Sequence, residues 1–115
     1  MNVKTVNTIL YCKKWAETVA FYAEMLHLEI HFSNDWFVEF WLTANARLSI
    51  ANEERASIKS GEGRGITIGF QVEELQTVHR QLAEAGHQPT PIKARWGSQV
   101  FYVYDPEGNR LEFWS

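Results

Sequence analysis

The residue pattern of the first half of this chain recurs in the second at an offset of roughly 59 residues, and no other feature restricts its fold as tightly. Residues 3–12 are rich in Val, Ile, Leu, Thr and Tyr, which suit a half-buried pleated surface. The apolar period then changes. Trp15, Val19, Tyr22 and Leu26 recur at three- and four-residue steps, with Ala16, Ala20 and Ala23 beside them. Residues 14–27 are therefore predicted to form an amphipathic helix whose aromatic residues pack in the core. Alternation over 28–32, an aromatic run over 36–42 and the segment 47–51 predict three strands, with turns at 33–35 and around Asn45.

The second half restarts with strict alternation, in which Ile66, Ile68, Phe70 and Val72 share a face. Leu75, Val78 and Leu82 mark a second helix, and Gly86 stands where a left-handed cap is wanted. Pro89 and Pro91 confine the next extended piece to an edge or a bulge. Residues 99–104 and 110–114 form the last two strands, joined by the turn Asp105-Pro106-Glu107-Gly108-Asn109. In this register Ala16 lies over Leu75, Val19 over Val78 and Ala23 over Leu82.

The expected fold class is α+β: two tandem βαβββ modules forming a curved mixed sheet around a shared cleft, with the helices on the outer face. The modules span 1–52 and 64–115, a polar stretch over 53–63 links them, and 1–115 is one domain because neither half has enough core to stand alone. Eleven Lys plus Arg against fourteen Asp plus Glu give a net charge of -3, which argues against a nucleic-acid partner. No apolar run approaches the ~18 residues of a membrane span, and no signal-peptide pattern precedes the first strand. Cys12 is the only cysteine, so no internal disulfide forms and nothing demands an oxidising compartment. A cytoplasmic location is expected.

The Phe21-Tyr22 pair in the first helix, and Asp105-Pro106-Glu107-Gly108-Asn109-Arg110-Leu111-Glu112 closing the second repeat, resemble the vicinal oxygen chelate superfamily. Glyoxalase I, extradiol dioxygenases, fosfomycin-resistance transferases and bleomycin-resistance proteins belong to it, and the resemblance covers almost the whole chain. It implies the paired-module fold and a homodimer. In the superfamily's metalloenzymes it also implies a divalent ion held by equivalent strands of the two halves, with one position open for substrate. Carried onto this chain, the ligand positions fall on Asn7, Ser49, Thr67 and Glu112. Only Glu112 is a strong ligand, and three uncharged donors beside one carboxylate do not suit Zn, Ni or Fe. The resemblance thus implies no cofactor here. The alternative is a divalent metal on Glu112 and His31, the one histidine whose strand face can point into the cleft. His79 is expected on the polar flank of the second helix, with His27 and His87 near helix ends.

Alternation places Glu112 with Arg110 and Trp114, Tyr102 with Tyr104 and Val100, Asn7 with Ile9 and Tyr11, and Thr67 with Gly69 and Gln71. The candidate ligand-binding set is Asn7, Tyr11, Ser49, Thr67, Trp96, Tyr102 and Glu112, an aromatic and hydrogen-bonding wall with one acid. In the fosfomycin-type enzymes the residue matching Tyr102 lies at the substrate site. Glu112 would pair with a cationic ligand, act as a base, bind a metal, or be tied up in a salt bridge to Arg110. Trp96, in a loop-like stretch over 94–98, reads as a lid, a stacking residue or a dimer contact. Whether Glu39 and Trp41 face the cleft or the helix depends on a register that a one-residue slip reverses. Cys12 has no recognisable His partner, and no Ser-His-Asp pattern, P-loop or dinucleotide fingerprint occurs. Three functions stay open. One is a bleomycin-resistance-like protein binding a small aromatic or cationic molecule without a metal. Another is a metal-dependent lyase, isomerase or dioxygenase with a non-standard ligand set. The last is an interaction module whose pocket has lost its function.

Overall fold

Strand pairing in the computed structural model, which describes residues 1–115, divides the sheet structure into two four-stranded mixed sheets rather than one. The chain groups into two units, Met1–Glu62 and Gly63–Ser115, each with one sheet and one helical segment.

In the first unit β1 (Val6–Cys12) leads into α1 (Trp15–Ala20), followed by β2 (Ile30–Ser33), β3 (Phe37–Thr43) and β4 (Ala46–Asn52). The sheet order is β1-β4-β3-β2, with β1 parallel to β4 and the other pairs antiparallel. The first strand begins at Val6 rather than Val3, because pairing starts with Val6 opposite Ala46. The single helix expected over 14–27 is interrupted. After α1 the chain makes a π-helical turn over Phe21–Met25, with the Leu26 N–H donating to the Phe21 carbonyl at 3.2 Å. The adjacent Phe21 and Tyr22 at its start are both buried, and within α1 Thr18 rather than Ala16 faces the core. His27 ends the segment at φ 55, and the Leu28 N–H reaches back to the Tyr22 carbonyl at 3.1 Å.

The core of this unit fixes the facing of β3. Tyr22, Phe40, Leu48 and Ile50 are fully buried, with the Tyr22 and Phe40 rings 6.4 Å apart. Trp15 ties α1 to β4 by donating from Nε1 to the Ile50 carbonyl at 2.9 Å. With Val38 and Phe40 turned toward the helix, Glu39 and Trp41 lie on the other face. The stretch after β4 is organised by its own turns: Lys59 Nζ donates to the Glu53 carbonyl at 2.7 Å, and the Ser60 N–H to Glu53 Oε1 at 2.9 Å.

The second unit repeats the order with β5 (Thr67–Gln71), α2 (Leu75–Glu84), β6 (Lys93–Arg95), β7 (Ser98–Tyr104) and β8 (Arg110–Trp114). Its sheet runs β5-β8-β7-β6, so β6 after the two prolines is an edge strand, as its composition predicts. Phe70, Phe113 and Phe101 stack across the sheet at 5.3 and 5.2 Å, and α2 buries Leu75 and Leu82. His79 is not on a polar flank: its ring meets Phe101 edge-on at 4.9 Å, and its Nε2 lies 2.9 Å from the Thr90 carbonyl. Gly86, at φ 87, closes α2 as expected. The turn before β8 is built on Asp105, whose Oδ1 accepts the Glu107 and Asn109 N–H groups, each at 2.9 Å.

Candidate functional site

On the face of the first sheet away from α1, β1 and β4 set Ile9 opposite Ser49 and Asn7 opposite Arg47. Fully buried Ser49 donates from Oγ to Asn7 Oδ1 at 2.8 Å, and Asn7 Nδ2 reaches Glu39 Oε1 at 3.4 Å. The other Glu39 oxygen lies 2.5 Å from His31 Nδ1 and 3.3 Å from Arg47 Nε. The Arg47 guanidinium stacks 4.1 Å over Trp41, and the His31 ring stands edge-on to the same indole at 4.5 Å. Tyr11 continues this face opposite Ala51. The sequence reading named Asn7, Tyr11, Ser49 and His31 but left Glu39 undecided and did not single out Arg47. These two close the network, and burial of Phe40 is the signal that places Glu39.

The corresponding face of the second sheet is differently charged. Tyr102 stands across from Glu112, and Thr67 across from Arg110. Arg110 Nε donates to Thr67 Oγ1 at 2.9 Å, and its guanidinium lies 4.4 Å over the Tyr102 ring. Arg110 is therefore engaged away from Glu112, and Glu112 has no hydrogen-bond or ion-pair partner in the protein. A side chain at Gly69 would put its Cβ 3.2 Å from Glu112 Oε2, so the bare glycine leaves the carboxylate room. Glu112 lines an open hollow of about 330 Å3 with Arg95, Trp96, Ser98, Val100 and Trp114. A second hollow, of about 340 Å3, lies at the Arg110 end of β8, lined by Gly63, Gly65, Ile66, Thr67 and Tyr104.

Trp96 sits at the tip of a hairpin, not in a loop. Arg95 pairs with Ser98, and the two residues between them, Trp96 and Gly97, have φ 49 and 79. Two positive φ values in a two-residue connection define a type I′ turn, which favours Asn-Gly. A bulky residue in this left-handed conformation costs about 1 kcal/mol, and the indole is also 96% exposed.

The four positions that the resemblance assigns to metal ligands do not fit a divalent ion. The oxygens of Asn7 and Ser49 satisfy each other, and Thr67 Oγ1 accepts from a guanidinium. In the second sheet Arg110, which has no ion-pair partner, stands beside Thr67 and two residues from Glu112, so unneutralised positive charge lies next to two of the four positions. No group of three or more His, Cys, Asp and Glu side chains gathers anywhere in the chain. His31, the alternative ligand, has its Nδ1 held by Glu39.

The family model described as a glyoxalase-like domain matches residues 5–115. Among solved structures, a lactoylglutathione lyase from Agrobacterium tumefaciens superposes with a TM-score of 0.79 at 18% identity, covering 95% of this chain and 90% of that one. A glyoxalase/bleomycin resistance protein/dioxygenase from Nocardioides gives 0.80 at 17%, over 99% and 83% of the two chains. A bleomycin resistance determinant encoded on the transposon Tn5 gives 0.74 at 18%, over 95% and 94%. No curated protein matches the chain. At such identities the structural likeness shows the fold, while the family rests on the near-complete model match. With two βαβββ units and a match from residue 5 to the last residue, this chain belongs to the glyoxalase-like domain family, within the vicinal oxygen chelate superfamily.

Proposed function

We propose that this protein binds a small aromatic or cationic molecule in the hollow against β8, without a family-type metal. Glu112 is the observation that carries this reading: a half-buried carboxylate with no protein partner, set beside Trp96, Trp114 and Val100. Arg95 and Ser98 complete the lining of the hollow, and largely apolar walls with a few placed polar groups are the usual make-up of a small-molecule site. A flat amine would pair with the carboxylate and lay its ring on an indole. Trp96 supports the reading further, since its exposed indole stands on a strained backbone and meets only the Arg95 guanidinium, 6.0 Å from the ring.

This reading groups the chain with relatives such as the bleomycin resistance determinant rather than with the lactoylglutathione lyase. The neutral donor set and the unneutralised Arg110 weigh against a metal-dependent lyase, isomerase or dioxygenase. We also propose a homodimer. Edge strand β2 leaves Ile30 and Phe32 about half exposed, which favours burial against a second copy, and light scattering would read the mass directly.

The test is a thermal-shift titration with tryptamine and 9-aminoacridine, run on the wild type and on Glu112→Gln. A ligand at 100 times its Kd adds about 2.7 kcal/mol, which at this size raises the midpoint by roughly 10 °C. The expected result is such a rise in the wild type and its loss in the variant. No rise with either amine, or a rise that Glu112→Gln retains, would refute the reading.

A further inference from the structure

We propose that the ligand of this site is a zwitterion: an amine for Glu112 and a carboxylate for Arg110, carried on one flat spacer. The inference rests on the reading of the β8 face as a ligand site and names the class of molecule it takes.

Arg110 and Glu112 are two residues apart on β8, so they share a face with their Cα atoms roughly 7 Å apart. Opposite charges this close ordinarily pair. Here they do not, because Thr67 holds the Arg110 Nε and the Tyr102 ring lies under its guanidinium. Each charge faces its own hollow. Glu112 lies among Trp96, Trp114 and Val100, with Arg95 on the same hollow but not paired to it, and Arg110 among Thr67, Tyr104 and the glycine-bearing loop before β5. Neither has an ion-pair partner elsewhere in the protein.

The first unit supplies an internal comparison. Arg47 occupies in β4 the place of Arg110 in β8, since each stands opposite the second-face residue of its opening strand, Asn7 or Thr67. Arg47 also stacks on an aromatic ring, but Glu39 of the adjacent strand neutralises it. The residue matching Glu39 is Tyr102, because Glu39 pairs with Ser49 as Tyr102 pairs with Glu112. The second unit has thus replaced the neutralising carboxylate by a tyrosine ring and placed a carboxylate on the last strand instead. An internally balanced face has become a dipole with both poles unpaired.

The Arg110 end is suited to a carboxylate. Its Nη groups form a planar fork, the Tyr104 side chain is 57% exposed beside it, and nothing lies within 4 Å of where a Cβ would stand on Gly65. A planar ring between the two charged groups would lie along the Tyr102 side of β8. A para-substituted benzene spans about the required distance, so the matched probes are 4-(aminomethyl)benzoate, benzylamine and benzoate.

Titration calorimetry at low salt would compare the three on the wild type, Arg110→Gln, Arg110→Lys and Glu112→Gln, with the circular dichroism of each variant recorded. The expected result is that the zwitterion binds the wild type about tenfold or more tighter than either half-probe. Arg110→Gln should abolish the advantage of the zwitterion, so that the zwitterion and benzylamine bind this variant about equally. Glu112→Gln should reduce the zwitterion to the benzoate level, and Arg110→Lys should fall between, which also covers any misfolding of the glutamine variant. Benzylamine binding as tightly as the zwitterion would overturn the inference and leave the small-molecule reading standing. Failure of all three probes, with tryptamine and 9-aminoacridine also silent, would overturn both.

Discussion

At Trp96 backbone and side chain are in conflict: the turn wants asparagine, and the solvent does not want an indole. Replacing the residue by one that fits the turn should therefore separate stability from binding. Trp96→Asn is expected to stabilise the fold by roughly 0.5–1 kcal/mol by relieving the left-handed strain, and to weaken tryptamine binding severalfold through loss of the stacking surface. Urea denaturation and calorimetry on the same protein read the two effects. A variant that is both less stable and unchanged in binding would make Trp96 a structural residue. Glu112 presents the converse case. Its face and its neighbours Arg110 and Trp114 are legible from strand alternation alone, but its lack of a partner is not. Residues two apart on a strand share a face, and only the Arg110 bond to Thr67 shows that they do not pair.

Among the elements, β3 separates what a sequence reveals from what it does not. Its aromatic run marks it as a strand, yet Val38, Phe40 and Leu42 on one side and Phe37, Glu39 and Trp41 on the other are both plausible core sets. The tertiary partner decides: Tyr22 packs on Phe40, and this sends Glu39 to the polar network. Phe40→Ala is expected to cost about 3–5 kcal/mol in chemical denaturation, and Glu39→Ala about 1–2 kcal/mol, since its His31 partner is exposed while the buried Arg47 Nε loses its counter-charge. Equal losses would mean that the register is slipped. The π-helical turn is similarly invisible in periodicity, because consecutive apolar residues such as Phe21 and Tyr22 also fit the core face of a regular helix. The order of elements, the edge position of β6 and the caps at Gly86 and Asp105 were all legible, because each follows from a local residue preference.

At the scale of the whole molecule, a duplicated module has kept its topology and diverged in its charges. Both units keep the same strand order and an arginine in the last strand, yet one neutralises it internally and the other does not. That divergence is why the family could be read from the repeat while the site could be read only in part: Ser49 donates to Asn7, which in turn donates to Glu39, and Trp96 and Glu112 share a hollow. It also separates fold from chemistry, as expected where one architecture hosts many activities. No helix is long and apolar enough to cross a membrane. The most direct measurement is the thermal midpoint of chelator-stripped protein with tryptamine, with and without added Mn, Fe(II), Co, Ni or Zn, for the wild type and Glu112→Ala. The expected result is a rise of several degrees with the amine that no metal alters and that Glu112→Ala removes. A rise with metal alone that disappears in Glu112→Ala would contradict it and make this a metal-binding protein with an unusual ligand set.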